Sequence, residues 1–304
     1  KMKILITGAA GFIGRYVIEK VRAFGHDILA TTLAKDKNVD NSSNVHWILG
    51  DLEDLKFLTT NVKSFNPDIV IHLAWQGIPD FSEKISRTNL YNSIKFFEFI
   101  FGNTNCKKVL VAGSCLEYGK KKGICKESDP VHIESYFTWA KHSLNQYLTI
   151  KCAEKDVVLN WFRLFYVYGP GQREGSLIPT LIKSIATKEI PQIKTPMNKN
   201  DFVYVGDVAG AIAKAVDNDL PTGVYNLGSG YATSVYDICR MLEKQLLDIE
   251  TISKQVLENG QPDEMLNFWA DIEKTEYALS MTCNTSLEMG TKLYAQSMRP
   301  ETFV

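Results

Sequence analysis

From residue 4 to residue 14 the chain reads Ile-Leu-Ile-Thr-Gly-Ala-Ala-Gly-Phe-Ile-Gly, an apolar run followed by glycines at 8, 11 and 14. Glycine tolerates positive φ and lets a ligand approach the backbone closely. A helix beginning there offers unpaired N–H groups and the positive end of its dipole to a pyrophosphate. Gly8, Gly11, Phe12, Ile13 and Gly14 are therefore candidate cofactor-binding residues. Glycines alone would also serve a tight turn without any ligand. Their position directly between a first strand and a first helix points to a dinucleotide. The cysteines offer no competing chemistry. Cys106, Cys115, Cys125, Cys152, Cys239 and Cys283 form no CxxC pair and no metal-ligand spacing, so no metal is expected and the thiols read as reduced and buried.

Such a loop needs a sheet to hold it. Continuous apolar runs at Ile4–Thr7, Ile28–Thr31, Val45–Leu49, Ile69–Leu73, Val109–Ala112 and Val157–Phe165 alternate with longer amphipathic segments. Strands of this kind indicate a parallel sheet covered on both faces, the doubly wound, Rossmann-like α/β plan. Leu90, Ile94, Phe97 and Phe101 form one helical stripe, and Phe137, Lys141, Leu144 and Leu148 form another. Both read as core-facing. Phe96, Phe99, Trp139 and Tyr147 fall off those stripes and suggest a homodimer contact through helices near 85–101 and 137–152. After Gly169-Pro170-Gly171 the alternation fades into a helix at Leu177–Ala186, proline-broken loops, a helix at Val205–Val216 and a strand at Tyr225–Leu227. This predicts a dinucleotide-binding domain over 1–169, with 203–229 returning to it, and a smaller α/β substrate domain over 170–304.

Composition narrows the class further. The 304 residues are enough for about two domains, and 45% apolar with 23% charged residues is ordinary globular usage. A net charge of −1 with no long basic block excludes a nucleic-acid or membrane-surface role, and Lys120–Lys122 reads as a solvated loop. No uninterrupted apolar stretch of membrane-helix length occurs. Lys1-Met2-Lys3 runs straight into the first strand and resembles a tag remnant rather than a signal peptide, so a cytoplasmic location is expected.

Six motifs in order resemble the extended short-chain dehydrogenase/reductase family of NAD(P)-dependent nucleotide-sugar epimerases, dehydratases and ketoreductases. They are the Gly8–Gly14 loop with Asp51-Leu52, Ile71-His72-Leu73-Ala74, Val109–Gly119, Arg163–Gly171, Asp201–Val208 and Tyr225–Gly230. The resemblance implies that Asp51 and Leu52 contact adenine and that Leu73 and Ala74 flank the cofactor. In this fold an acid ending the second strand favours NAD, whereas a basic residue favours the phosphate of NADP. That place falls on Thr32, with Lys35 and Lys37 close behind, so NADP is the first expectation and NAD the second.

The resemblance also implies a catalytic set of a tyrosine, a lysine four residues later and a serine or threonine. The lysine lowers the tyrosine's pKa, and the hydroxyl holds the carbonyl oxygen as the proton moves. Ser114 and Lys141 match, and Lys141 would also hold the cofactor. The residue four before Lys141 is Phe137, which has no proton to give. Tyr136 lies five before it, one residue and so about 100° around the helix from Phe137. Three explanations stay open: an engineered Tyr-to-Phe variant at 137, a natural relative that only binds, or a rearranged Tyr136.

The family's dehydratases carry an aspartate and a glutamate where Cys115 and Leu116 stand, so dehydration is not expected. Tyr166 stands where the family often has asparagine, and Asn200 where it has arginine. Together with Ser114 and Arg173 these are the candidate nucleotide-sugar-binding residues. The reading is NADPH-dependent reduction of the C4 keto group of a nucleotide-linked 4-keto-6-deoxyhexose. The alternatives are an NAD-dependent nucleotide-sugar 4-epimerase and a non-catalytic nucleotide-sugar-binding relative.

Overall fold

The computed structural model describes residues 1–33, 44–261, 267–279 and 284–298. Its strands in chain order are β1 (Lys3–Thr7), β2 (Asp27–Thr32), β3 (Val45–Leu49), β4 (Ile69–His72), β5 (Lys108–Ser114), β6 (Gly123–Cys125) and β7 (Val158–Leu164). They continue with β8 (Tyr166–Tyr168), β9 (Lys199–Asn200), β10 (Phe202–Tyr204), β11 (Gly223–Leu227), β12 (Thr233–Ser234) and β13 (Phe268–Ala270). The helices used below are α1 (Phe12–Arg22), α2 (Leu55–Phe57), α3 (Glu83–Asn103), α4 (Tyr136–Lys155), α5 (Leu177–Ala186), α6 (Val205–Asp217) and α7 (Val235–Leu247).

Seven strands form one parallel sheet in the order β11-β7-β5-β4-β1-β2-β3. This is the doubly wound α/β fold expected from the apolar runs. Alternation along β1 builds its two layers. Ile4 and Ile6 pack with Val17 and Val21 of α1 and Ile212 and Ala215 of α6. Leu5, between them, points the other way to Phe96, Phe97 and Ile100 of α3 and Leu144 and Leu148 of α4. All three β1 residues are fully buried. The strand order reverses between β1 and β4, which opens a crevice at their carboxyl ends, the place where such sheets take ligands.

The aromatics assigned to a dimer contact need one correction. Phe96 and Phe99 lie inside the subunit, and Phe96 stacks on His72 at 5.4 Å. The reason is that α3 packs against both the sheet and α4, so it buries a wider arc than a single stripe. Trp139 and Tyr147 are partly buried against the same core.

A third core joins α5 to α7 through Ile178, Leu181, Ile182, Ile238 and Leu242. Three small two-stranded sheets, β8 with β10, β9 with β12 and β6 with β13, link this layer to the main sheet. The chain returns to the main sheet with β11, which pairs with β7, and α6 packs on α1. Among the described residues no helix is long and apolar enough to cross a membrane.

Candidate active site

The glycine loop is sterically committed. Gly8 has φ +67°, and a Cβ there would stand 2.7 Å from Ala74 N at the end of β4. A Cβ on Gly14 would stand 2.2 Å from Gly8 O and 2.7 Å from Ala9 O. Gly11 caps α1 without a side-chain acceptor, so its first-turn amides, carried by Phe12, Ile13 and Gly14, remain for a ligand. A cavity of about 460 Å³ runs from this loop across the ends of β1, β2 and β4. Its walls include Gly8, Gly11, Thr32, Asp51, Leu52 and Ala74, all candidates from the sequence. Phe12, Ile13, Gly14 and Leu73 stand beside that wall. Lys35 and Lys37 lie outside the described residues.

Loop, free amides and elongated crevice together fit a dinucleotide. Because backbone oxygens block Gly14, Gly14→Ala must displace the loop, an overpacking worth about 1–3 kcal/mol. Dinucleotide affinity is expected to fall by about 10- to 100-fold, which fluorescence titration of the reduced cofactor would show.

Several wall residues escaped sequence reasoning. Arg15, Thr31 and Leu33 line the cavity near Thr32, and Asn89 and Ser93 of α3 line its inner end with Trp75. A signal existed for α3: Ser86, Asn89 and Ser93 place polar groups on its buried face. His72 forms the floor. Its Nδ1 pairs with Thr7 Oγ1 at 2.9 Å and its Nε2 with Ser93 Oγ at 3.2 Å. Burial, helped by the charge of Lys141, pulls its pKa down to about 3, so the ring is neutral.

The catalytic candidates sit farther along the strand ends. Ser114 closes β5, and its Oγ accepts from Leu116 N at 3.2 Å. Glu117, fully buried, anchors this turn: it accepts from Ser114 N at 2.9 Å, Trp161 Nε1 at 3.0 Å and Arg163 Nε at 3.0 Å. Tyr118 is committed elsewhere, donating to Asn226 Oδ1 at 2.7 Å beneath the Arg163 guanidinium.

Ser135 caps α4 by accepting from Thr138 N, so Tyr136 and Phe137 occupy its first two positions. Phe137 turns inward and meets Phe81 at 4.6 Å and Trp75 at 5.5 Å between ring centres. Tyr136 turns outward, 52% exposed, along a second cavity lined by Phe81 and Glu134. Lys141 is buried, and its Nζ donates to Ala112 O at 2.7 Å and lies 4.0 Å from the Trp75 ring centre. Burial pulls its pKa down to about 7, with Glu117 opposing the shift.

The structure thus brings Phe137 and Lys141 together and ties Lys141 to the strand that ends in Ser114. Of the other substrate candidates, Tyr166 and Asn200 lie on neighbouring stretches, with Tyr166 N donating to Asp201 O at 3.0 Å. Arg173 is exposed, with Nη1 donating to Glu174 O at 3.3 Å. Asn200 pairs with Thr233 across β9 and β12. Tyr166 packs between Phe202 and Phe268, and burial raises its phenol pKa.

The profile of the NAD dependent epimerase/dehydratase family matches residues 4–228. The chain belongs to that family. The match starts in β1 and ends just after β11, so it includes the glycine loop, Ser114 and Lys141. Relatives within the epimerase/dehydratase family are nucleotide-sugar enzymes. The dTDP-6-deoxy-L-talose 4-dehydrogenase (NAD(+)) of Aggregatibacter actinomycetemcomitans is 26% identical, over 77% of this chain and 87% of its own. The dTDP-4-dehydro-6-deoxyglucose reductase of Escherichia coli is 26% identical, over 81% and 82%. The structure of UDP-glucose 4-epimerase from Thermotoga maritima, with UDP-glucose, superposes with a TM-score of 0.86 at 25% identity, covering 98% of this chain and 99% of that one.

Proposed function

We propose that the chain is a cytoplasmic, NADPH-dependent reductase of the C4 keto group of a nucleotide-linked 4-keto-6-deoxyhexose. The observation that carries this reading is the turn after β5. Ser114 is present there, but the next two residues are a buried cysteine and Leu116, so no carboxylate pair is available to move protons on the sugar for water loss. Burial raises the Cys115 thiol pKa, which leaves it no part as a base. The similarity to the E. coli reductase supports the same reaction.

When bound, the reduced nicotinamide supplies the hydride. This chain's residues do the rest: Ser114 holds the ketone oxygen, and Arg173, Asn200 and Tyr166 meet the nucleotide sugar from the α5–α7 layer. NADPH is favoured over NADH by the end of β2, where Thr32 and Leu33 replace an acid and Arg15 lines the same stretch of cavity. In this reading the dinucleotide-binding domain spans 1–169 and takes back 203–229, while 170–304 holds the sugar. A homodimer forms through α3 and α4, where Tyr91 and Ile150 are more than half exposed.

A nucleotide-sugar 4-epimerase using NAD is the second reading, favoured by the whole-chain similarity to the T. maritima enzyme. Incubation with a panel of 4-keto nucleotide sugars and one equivalent of NADPH separates the two. A reductase consumes the cofactor in step with the sugar. An epimerase interconverts 4-hydroxy sugars with no net consumption.

A further inference from the structure

We infer that Lys141 is itself the proton donor of the reaction, filling the role left empty by Phe137. The inference rests on the reductase reading above. A reduction at C4 leaves an alkoxide that must take a proton, and the ring at 137 ends one hydroxyl short of giving one. The buried groups around it narrow the choice. Tyr136 faces outward, Tyr118 donates to Asn226, and the Glu117 carboxylate is held by three donors. Lys141 carries three N–H bonds and spends one on Ala112 O, two residues before Ser114 on the same strand. The centre of the Phe137 ring lies 5.9 Å from its Nζ, so the amine is an N–H donor beside the ring that lacks the phenol, on the same face of α4.

The ionisable groups facing Lys141 are Glu117, in the turn after β5 and paired with Arg163 of β7, and His72 of β4, which is neutral. Burial disfavours the ammonium and the Trp75 ring face favours it. A donor poised near neutral pH is what general acid catalysis requires. In the step, an Nζ–H bond breaks, an O–H bond forms at sugar C4, and Lys141 is left as a neutral amine that takes its next proton from solvent. The hydride comes from the reduced nicotinamide, so charge and electrons balance.

Two readouts test this, one of them independent of turnover. Because the ammonium lies against Trp75, its ionisation changes Trp75 emission. A pH titration of the unmodified chain is expected to show a transition near 7 that is absent in Trp75→Phe and in Lys141→Met. In steady state, kcat is expected to fall about tenfold per pH unit above 7. Lys141→Arg keeps the charge but not the exchangeable acid, and is expected to lose at least about 100-fold in kcat. Tyr136→Phe is expected to change neither readout.

The inference is overturned by an emission that is flat from pH 6 to 8, by a kcat flat to pH 9, or by activity lost in Tyr136→Phe. It is also overturned, with the reductase reading left standing, if the unmodified chain is silent while Phe137→Tyr turns over. If neither consumes NADPH with any 4-keto nucleotide sugar, the reductase reading falls and takes the inference with it.

Discussion

Glu117→Ala is expected to lower the stability of the fold by about 3–5 kcal/mol, measured by urea unfolding. The side chains of Glu117 and Arg163 are 1% and 5% exposed, so the ion pair is almost wholly out of water. Removing the carboxylate strands more than one group. Arg163 keeps a buried charge, and its Nη1 already has no hydrogen-bond partner among the described residues. Trp161 Nε1 and the Ser114 amide lose their acceptor as well. An orphaned buried donor costs about 1–3 kcal/mol, and a buried unpaired charge costs more. Glu117→Gln, which keeps an acceptor oxygen, is expected to lose less. The turn that carries Ser114 is loosened as well, because the Ser114 amide donates to Glu117 at 2.9 Å.

Phe137→Tyr is expected to raise kcat by about tenfold at most, because a well-placed general acid is worth about 10²- to 10⁴-fold in all and Lys141 already supplies most of it. The ring already points inward beside Lys141, and the four-residue spacing sets both side chains on one face of α4. A phenol there would be poised next to a cation, which lowers its pKa from near 10. The falling limb of the pH–rate profile is therefore expected to move from near 7 to higher pH in the variant. NADPH absorbance across a pH series gives both values.

Much of this arrangement was legible in the sequence for a local reason. A strand buried on both faces reads as a continuous apolar run, so the seven-stranded parallel sheet could be anticipated at β1 to β5, β7 and β11. The glycine loop was legible because backbone geometry, not distant contacts, dictates Gly8 and Gly14. Phe137 was legible because helical spacing from Lys141 fixes its face. What was hidden depends on residues far apart in the chain. Trp75 follows β4 in a segment without periodicity, and only the packing of α4 lays it over Lys141. Phe96 and Phe99 looked like surplus because a helix clamped between a sheet and a second helix buries more than one stripe. Glu117 looked unremarkable one place after the dehydratase positions, since its partners Trp161 and Arg163 are more than forty residues away. Tyr166 and Asn200 were drawn from motif correspondence, and the hydrogen bond from Tyr166 N to Asp201 O that makes them neighbours joins residues 35 apart in the chain.

The most direct test of the account follows a deuterium atom. The chain would be incubated with a 4-keto-6-deoxyhexose nucleotide and NADPH deuterated at nicotinamide C4, with deuterated NADH in parallel, and the sugar examined by proton NMR. One deuterium at sugar C4 per cofactor oxidised is expected, with faster transfer from the phosphorylated cofactor. Label absent from C4, with the cofactor unconsumed while 4-hydroxy nucleotide sugars interconvert, would contradict it.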